Sequence, residues 1–222
     1  MSTDATKLSR RKTLRGIAAM SAGAALTVRT LNAAHASADS SQAFQFQQQM
    51  RKLWEDHIVW TRLYIISAAA ELPDLDVTTA RLLRNQDDIG KAIASFYGAE
   101  AGDGLAGLLK DHIMGAATLL AAAKVGDQGK VDAASVAWYA NADDIGAFLH
   151  GANPDNWAAE DMSAQMKMHL DMTLEEAVAR LTGDFAGDIA AYDMVHDHIL
   201  GMADVLSAGI IAQFPEKFAY TY

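Results

Sequence analysis

Three histidines, His57, His112 and His169, stand 55 and 57 residues apart, and the pattern Asn-x-Asp-Asp-Ile-Gly occurs twice, at Asn85–Gly90 and at Asn141–Gly146, 56 positions apart. Imidazole nitrogen and carboxylate oxygen are ligands for iron, manganese, zinc or copper(II). Their shared period reads as an internal repeat. The chain has no cysteine, which removes thiolate zinc sites, iron–sulfur clusters and blue-copper sites from consideration. Any metal site must therefore use His, carboxylate or amide.

These residues need elements to position them. Ala, Leu, Met and Ile recur at helical spacing while glycine and proline act as punctuation, which predicts an all-α chain. Six helices are expected, at about 42–70, 78–97, 105–124, 132–149, 156–181 and 184–214. Short connections favour antiparallel neighbours, so the expected architecture is an antiparallel bundle built from three hairpin-like repeats. The third copy of the hexapeptide is degenerate, with Tyr192-Asp193 as its nearest acidic feature.

Helical periodicity predicts which side chains face inward. His57, His112 and His169 fall within apolar stripes. Asn85 and Asp88, and likewise Asn141 and Asp144, lie on the inner side of their helices, which leaves Asp87 and Asp143 in solvent. In the last helix Ile189, Asp193, His196, Leu200 and Ala203 form the stripe, and His198 lies on another face. Ionised carboxylates in a core cost several kcal/mol unless paired, and the stripes hold few bases apart from Arg62 and Arg180. A divalent transition metal ligated by His57, Asp88, His112, Asp144, His169 and Asp193, with Asn85 and Asn141 as supporting partners, would satisfy both groups.

Ser9-Arg10-Arg11-Lys12-Thr13-Leu14 resembles a twin-arginine export signal. The apolar run at 16–28 is shorter than the ~20 residues of a spanning helix. Small residues then offer cleavage after Ala36 or Ala38. The expectation is a cleaved leader at 1–38 and one helical domain at 39–222, periplasmic or secreted, with the twin-arginine translocation machinery as partner. That pathway carries folded proteins, which suits metal loading or a homo-oligomer formed before export. Beyond the leader 12 basic residues face 27 acidic ones, a net charge of −15. Such a domain is a poor partner for nucleic acid or anionic membrane surfaces, and no membrane insertion is expected after cleavage.

Other constellations are thin. No phosphate-binding loop and no Gly-x-Ser-x-Gly elbow is present. Met162, Met166, Met168 and Met172 at helical spacing read as core filler before they read as copper or haem ligands. The segments WEDHIVWTR (54–62), RLLRN (81–85), WYANADDIGAFL (138–149), HLDMT (169–173), Tyr192-Asp193 and Met202-Ala203-Asp204 are similar to those of an uncharacterised family of small bacterial helical proteins. Names such as glycosyltransferase circulate for that family, although nothing in these residues supports a sugar-nucleotide site. The resemblance implies one compact domain in which the motif residues belong together. His196 and His198 fall outside the family's pattern, which argues against them as ligands. Three readings stay open: an exported metal-binding bundle that could be a metalloenzyme, a structural or partner-binding bundle with a buried polar network, and a haem or small-ligand carrier.

Overall fold

The computed structural model describes residues 23–219, with side chains from residue 42 onward. The expected twin-arginine motif lies outside the described residues, as do the side chains at the expected cleavage sites. Residues from Ala38 onward form one compact unit, and it is all-helical. The elements of the described residues are α1 (Gly23–Ala70), which runs into that unit, α2 (Leu75–Tyr97), α3 (Ala99–Lys124), α4 (Gln128–Ala152), α5 (Ala159–Thr182), α6 (Phe185–Gln213) and a short 3-10 turn at Pro215–Lys217.

Local chemistry sets the helix ends. Asp127 and Asp184 cap α4 and α6 by accepting from the Lys130 and Gly187 amides. Gly183 closes α5 in the left-handed conformation, at φ 81°. The expected 98–104 loop is confined to Gly98, and α3 starts at Ala99. Gly102 belongs to a helix crossing instead: a Cβ there would meet Gly90 O at 2.5 Å, and one on Gly90 would meet Gly102 O at 2.5 Å. Bare backbone lets α2 and α3 approach closely, so glycine serves packing here rather than a turn.

Consecutive helices pack from α2 through α6, and side-chain bonds tie α1 to both ends of that series. Asn85 Nδ2 donates to Leu53 O across α1 and α2 at 3.0 Å, and Arg51 pairs with Asp204 across α1 and α6 at 2.5 Å. The six helices thus surround one core, whose fully buried members include Ile58, Ile89, Leu109, Ile145, Leu170 and Ile199. By length and composition α3 and α6 are apolar enough to cross a membrane, and each buries 44% of that window inside the bundle. Neighbouring helices engage part of their apolar surface, while Met114 of α3 and Phe185, Met194 and Val205 of α6 stay exposed.

The register of α6 differs from the expected stripe. Ala191, Val195, Ile199, Met202 and Leu206 face the core, while Ile189 is 54% exposed and Asp193 is exposed. This helix is apolar around most of its circumference, so periodicity alone does not choose its inner face. Among the described residues the buried carboxylates are Glu176 and Asp188, each 1% exposed. Arg62 bonds both at 2.8 Å, and Arg180 reaches Asp188 at 3.3 Å. The missing cation expected from the inward carboxylates is therefore an arginine pair, clamping α1, α5 and α6 some distance along the helices from the histidines.

Candidate metal centre

His57, His112 and His169 project from α1, α3 and α5 into the core and meet there. One ligand atom from each lies within 4.8 Å of the others. Their rings are 5.7, 5.8 and 6.4 Å apart by centroid, and the residues are only 2–3% exposed. Burial, reinforced by mutual repulsion for the second and third, holds all three below the usual histidine range: His57 at about 4, His112 at about 3 and His169 well below 6.5. At neutral pH the cluster is three uncharged imidazoles.

Hydrogen bonds then decide which nitrogen carries the proton. Asn141 Nδ2 donates to Leu108 O at 3.1 Å, which orients its amide so that Oδ1 faces His112 Nδ1 at 3.1 Å. An amide oxygen only accepts, so His112 must place its proton on Nδ1. The α1–α2 pair reaches the same result through one more amide. Asn85 donates to Leu53 O; Gln86 Nε2 donates to Leu82 O at 2.9 Å and to Asn85 Oδ1 at 3.3 Å. Gln86 Oε1 is left to accept from His57 Nδ1 at 3.3 Å. In both imidazoles Nε2 is therefore the unprotonated nitrogen, the one able to act as a ligand. His169 Nδ1 is a buried nitrogen without a hydrogen-bond partner among the described residues.

The third helix pair has a counterpart that the sequence reading did not find. His198 Nε2 donates to Gln165 O at 3.1 Å, the carbonyl four residues before His169, just as Asn85 and Asn141 bond the carbonyls four residues before His57 and His112. His198 follows Asn141 by 57 positions, which was the available signal. Its ring stacks on His169 at 6.4 Å and 14°, and it supplies no acceptor to His169 Nδ1. Gln86, 0% exposed, was also missed, although its place four residues after Leu82 and three before Ile89 marks the buried face.

The carboxylates do not join the histidines. Asp88 is 40% exposed in its side chain and pairs with Lys91; Asp144 and Asp193 are exposed. Helix geometry explains this correction. Leu82, Gln86, Ile89 and Ile93 centre the inner face of α2, and at ~100° per residue Asp88 lies about 130° away from that line. Asp144 has the same offset on α4. The first Asp of each pair bridges helices on the outside, Asp87 to Lys110 at 2.5 Å and Asp143 to Lys167 at 2.8 Å. Among the methionines, Met162 and Met166 are buried core residues and Met168 is 47% exposed, so they do not form one ligand group.

A cavity of about 220 Å³ lies about one helical turn along from the histidines. Its lining includes Thr61 and Thr173, four residues after His57 and His169, and Ile113, next to His112. No protein-family model, curated protein or solved structure matches the chain. Fold and site together define a class in chemical terms: a six-helix bundle with a buried cluster of three neutral histidines.

Proposed function

We propose that this protein is an exported metal-binding helical bundle in which His57, His112 and His169 hold one divalent ion through ring nitrogens. The observation that carries this reading is the convergence of three neutral imidazoles, one ligand atom from each within 4.8 Å of the others, with the amide bonds leaving Nε2 of His57 and His112 unprotonated. His169 Nδ1 is buried without a hydrogen-bond partner among the described residues, a state that costs about 1–3 kcal/mol, and a metal ion bound there removes that cost. Asn141 and Gln86 act as the outer partners that orient metal-bound histidines.

Three neutral ligands with no carboxylate leave the ion's charge uncompensated in a low-dielectric core. The fourth position therefore belongs to water or a small anion, which is the ligand count of catalytic zinc sites. Zinc suits this set better than manganese, which prefers oxygen ligands. The carboxylates Asp88, Asp144 and Asp193 act outside the ligand set. Folded export through the twin-arginine route would deliver a protein already loaded with metal, and the matching helix-pair contacts support descent from a repeated hairpin.

A second reading has an observation of its own. The bonds from Asn85, Asn141 and His198 to helix carbonyls would fix the register of each helix pair without any metal. Elemental analysis of protein purified without a polyhistidine tag separates the two. About one metal ion per chain, with a melting temperature that falls after chelation, supports the metal centre; a metal-free protein indifferent to chelator supports the register network. A haem carrier fits poorly, because the cavity is smaller than the ~300–1,000 Å³ of drug-sized ligand pockets.

A further inference from the structure

The cavity stops short of the histidines, which do not line it; Thr61, Ala116 and Thr173, each four residues after one of them, do. Val178, 49% exposed, and the partly buried Leu181 stand at its outer end, while Thr61, Leu82, Ile113 and Thr173 form its buried end. The lining contains no charged side chain. The two threonine hydroxyls are spent on their own helices, Thr61 Oγ1 donating to His57 O at 2.7 Å and Thr173 Oγ1 to His169 O at 2.8 Å. Tyr64 and Trp138, whose indole Nε1 has no hydrogen-bond partner among the described residues, leave the lining two neutral donors, but it has no cation to neutralise an anion.

An apolar cavity of ~150 Å³ suffices to bind benzene. The space here, about 220 Å³, takes a substituted ring or a short alkyl chain. Its walls are helix faces already held by the bundle, so binding requires little ordering of the protein. We infer that this cavity is a binding site for a small uncharged hydrophobic molecule, which it seats one helical turn from the three histidines. The role of that molecule as substrate rests on the metal-centre reading, whereas its binding does not.

The test uses the chelator-treated full chain, with toluene as the neutral probe and benzoate as its charged analogue. Millimolar toluene raises the melting temperature by about 2–4 °C and shifts the NMR resonances of Ile113 and Leu82, while benzoate does neither. Ala177→Phe fills the cavity and abolishes the toluene response; Ala116→Val, a smaller filling change, weakens it in a protein that melts near wild type. Absence of a toluene response, an equal response to benzoate, or an undiminished response in both variants overturns the proposal. Failure of cobalt(II) to bind the same protein would count against the metal centre and leave the toluene result standing.

Discussion

His112 donates its Nδ1 proton to Asn141 Oδ1 at 3.1 Å, across the α3–α4 interface. Asn141 in turn is held by the Leu108 carbonyl, so a backbone group of α3 dictates the tautomer of an imidazole on the same helix through a side chain of the next. Asn141→Ala removes that control. We expect a stability loss of about 1–3 kcal/mol from the buried partner left unpaired and a 10–100-fold loss of metal affinity, read by denaturation and metal competition.

The carboxylates of the repeated pattern give the contrasting expectation. Asp88→Asn, Asp144→Asn and Asp193→Asn, singly or together, should leave metal stoichiometry at the wild-type value. Each stability change should stay within about 0.5 kcal/mol, as for surface substitutions. Metal loss in the Asp88 or Asp144 variant would restore the carboxylates to the ligand set.

Acid should destabilise the metal-free protein through the histidines. Their folded values, about 4 for His57, about 3 for His112 and well below 6.5 for His169, lie under the unfolded value, so the unfolded chain binds more protons as pH falls. The stabilisation is complete above about pH 7 and is lost as pH drops from about 6.5 toward 4, by ~1.4 kcal/mol per pH unit for each imidazole. Denaturant midpoints of wild type and His57→Phe measured across that range should diverge in slope. Parallel curves would contradict the burial of a neutral His57.

Arg62 is a structural counterpart to the site. It bonds both Glu176 and Asp188, and burial pushes the Glu176 carboxyl up to about 7 despite the adjacent guanidinium. Arg62→Leu leaves two buried acids without their main partner, and we expect a loss of about 3–5 kcal/mol. Equilibrium denaturation at pH 8 measures it, and adding Glu176→Gln and Asp188→Asn should recover much of the loss.

The histidines were legible in the sequence because each sits inside an apolar stripe that its helix buries as a whole. The carboxylates were misplaced because Asp88 lies one turn from Asn85, and Asn85 itself stands at the edge of the inner face; a residue about 60° further round is already outside. Asp193 followed from an α6 stripe drawn one position away from the observed one, on a helix with too little polarity to fix its rotation. Glu176 and Asp188 escaped notice because their neutralising partner, Arg62, is 114 and 126 residues away, a pairing only the folded bundle creates. His198 was hidden by a change of residue type where the other two helix pairs have asparagine.

The three-histidine ligand set is tested most directly by titrating chelator-treated, untagged protein with cobalt(II), alongside His112→Phe, which keeps an apolar ring in the same space. Wild type should bind one ion per chain with the intense visible absorption of a four-coordinate centre, and His112→Phe should lose that spectrum while retaining its helical fold. A wild-type protein that binds no cobalt, or a variant that binds it with an unchanged spectrum, would contradict the account.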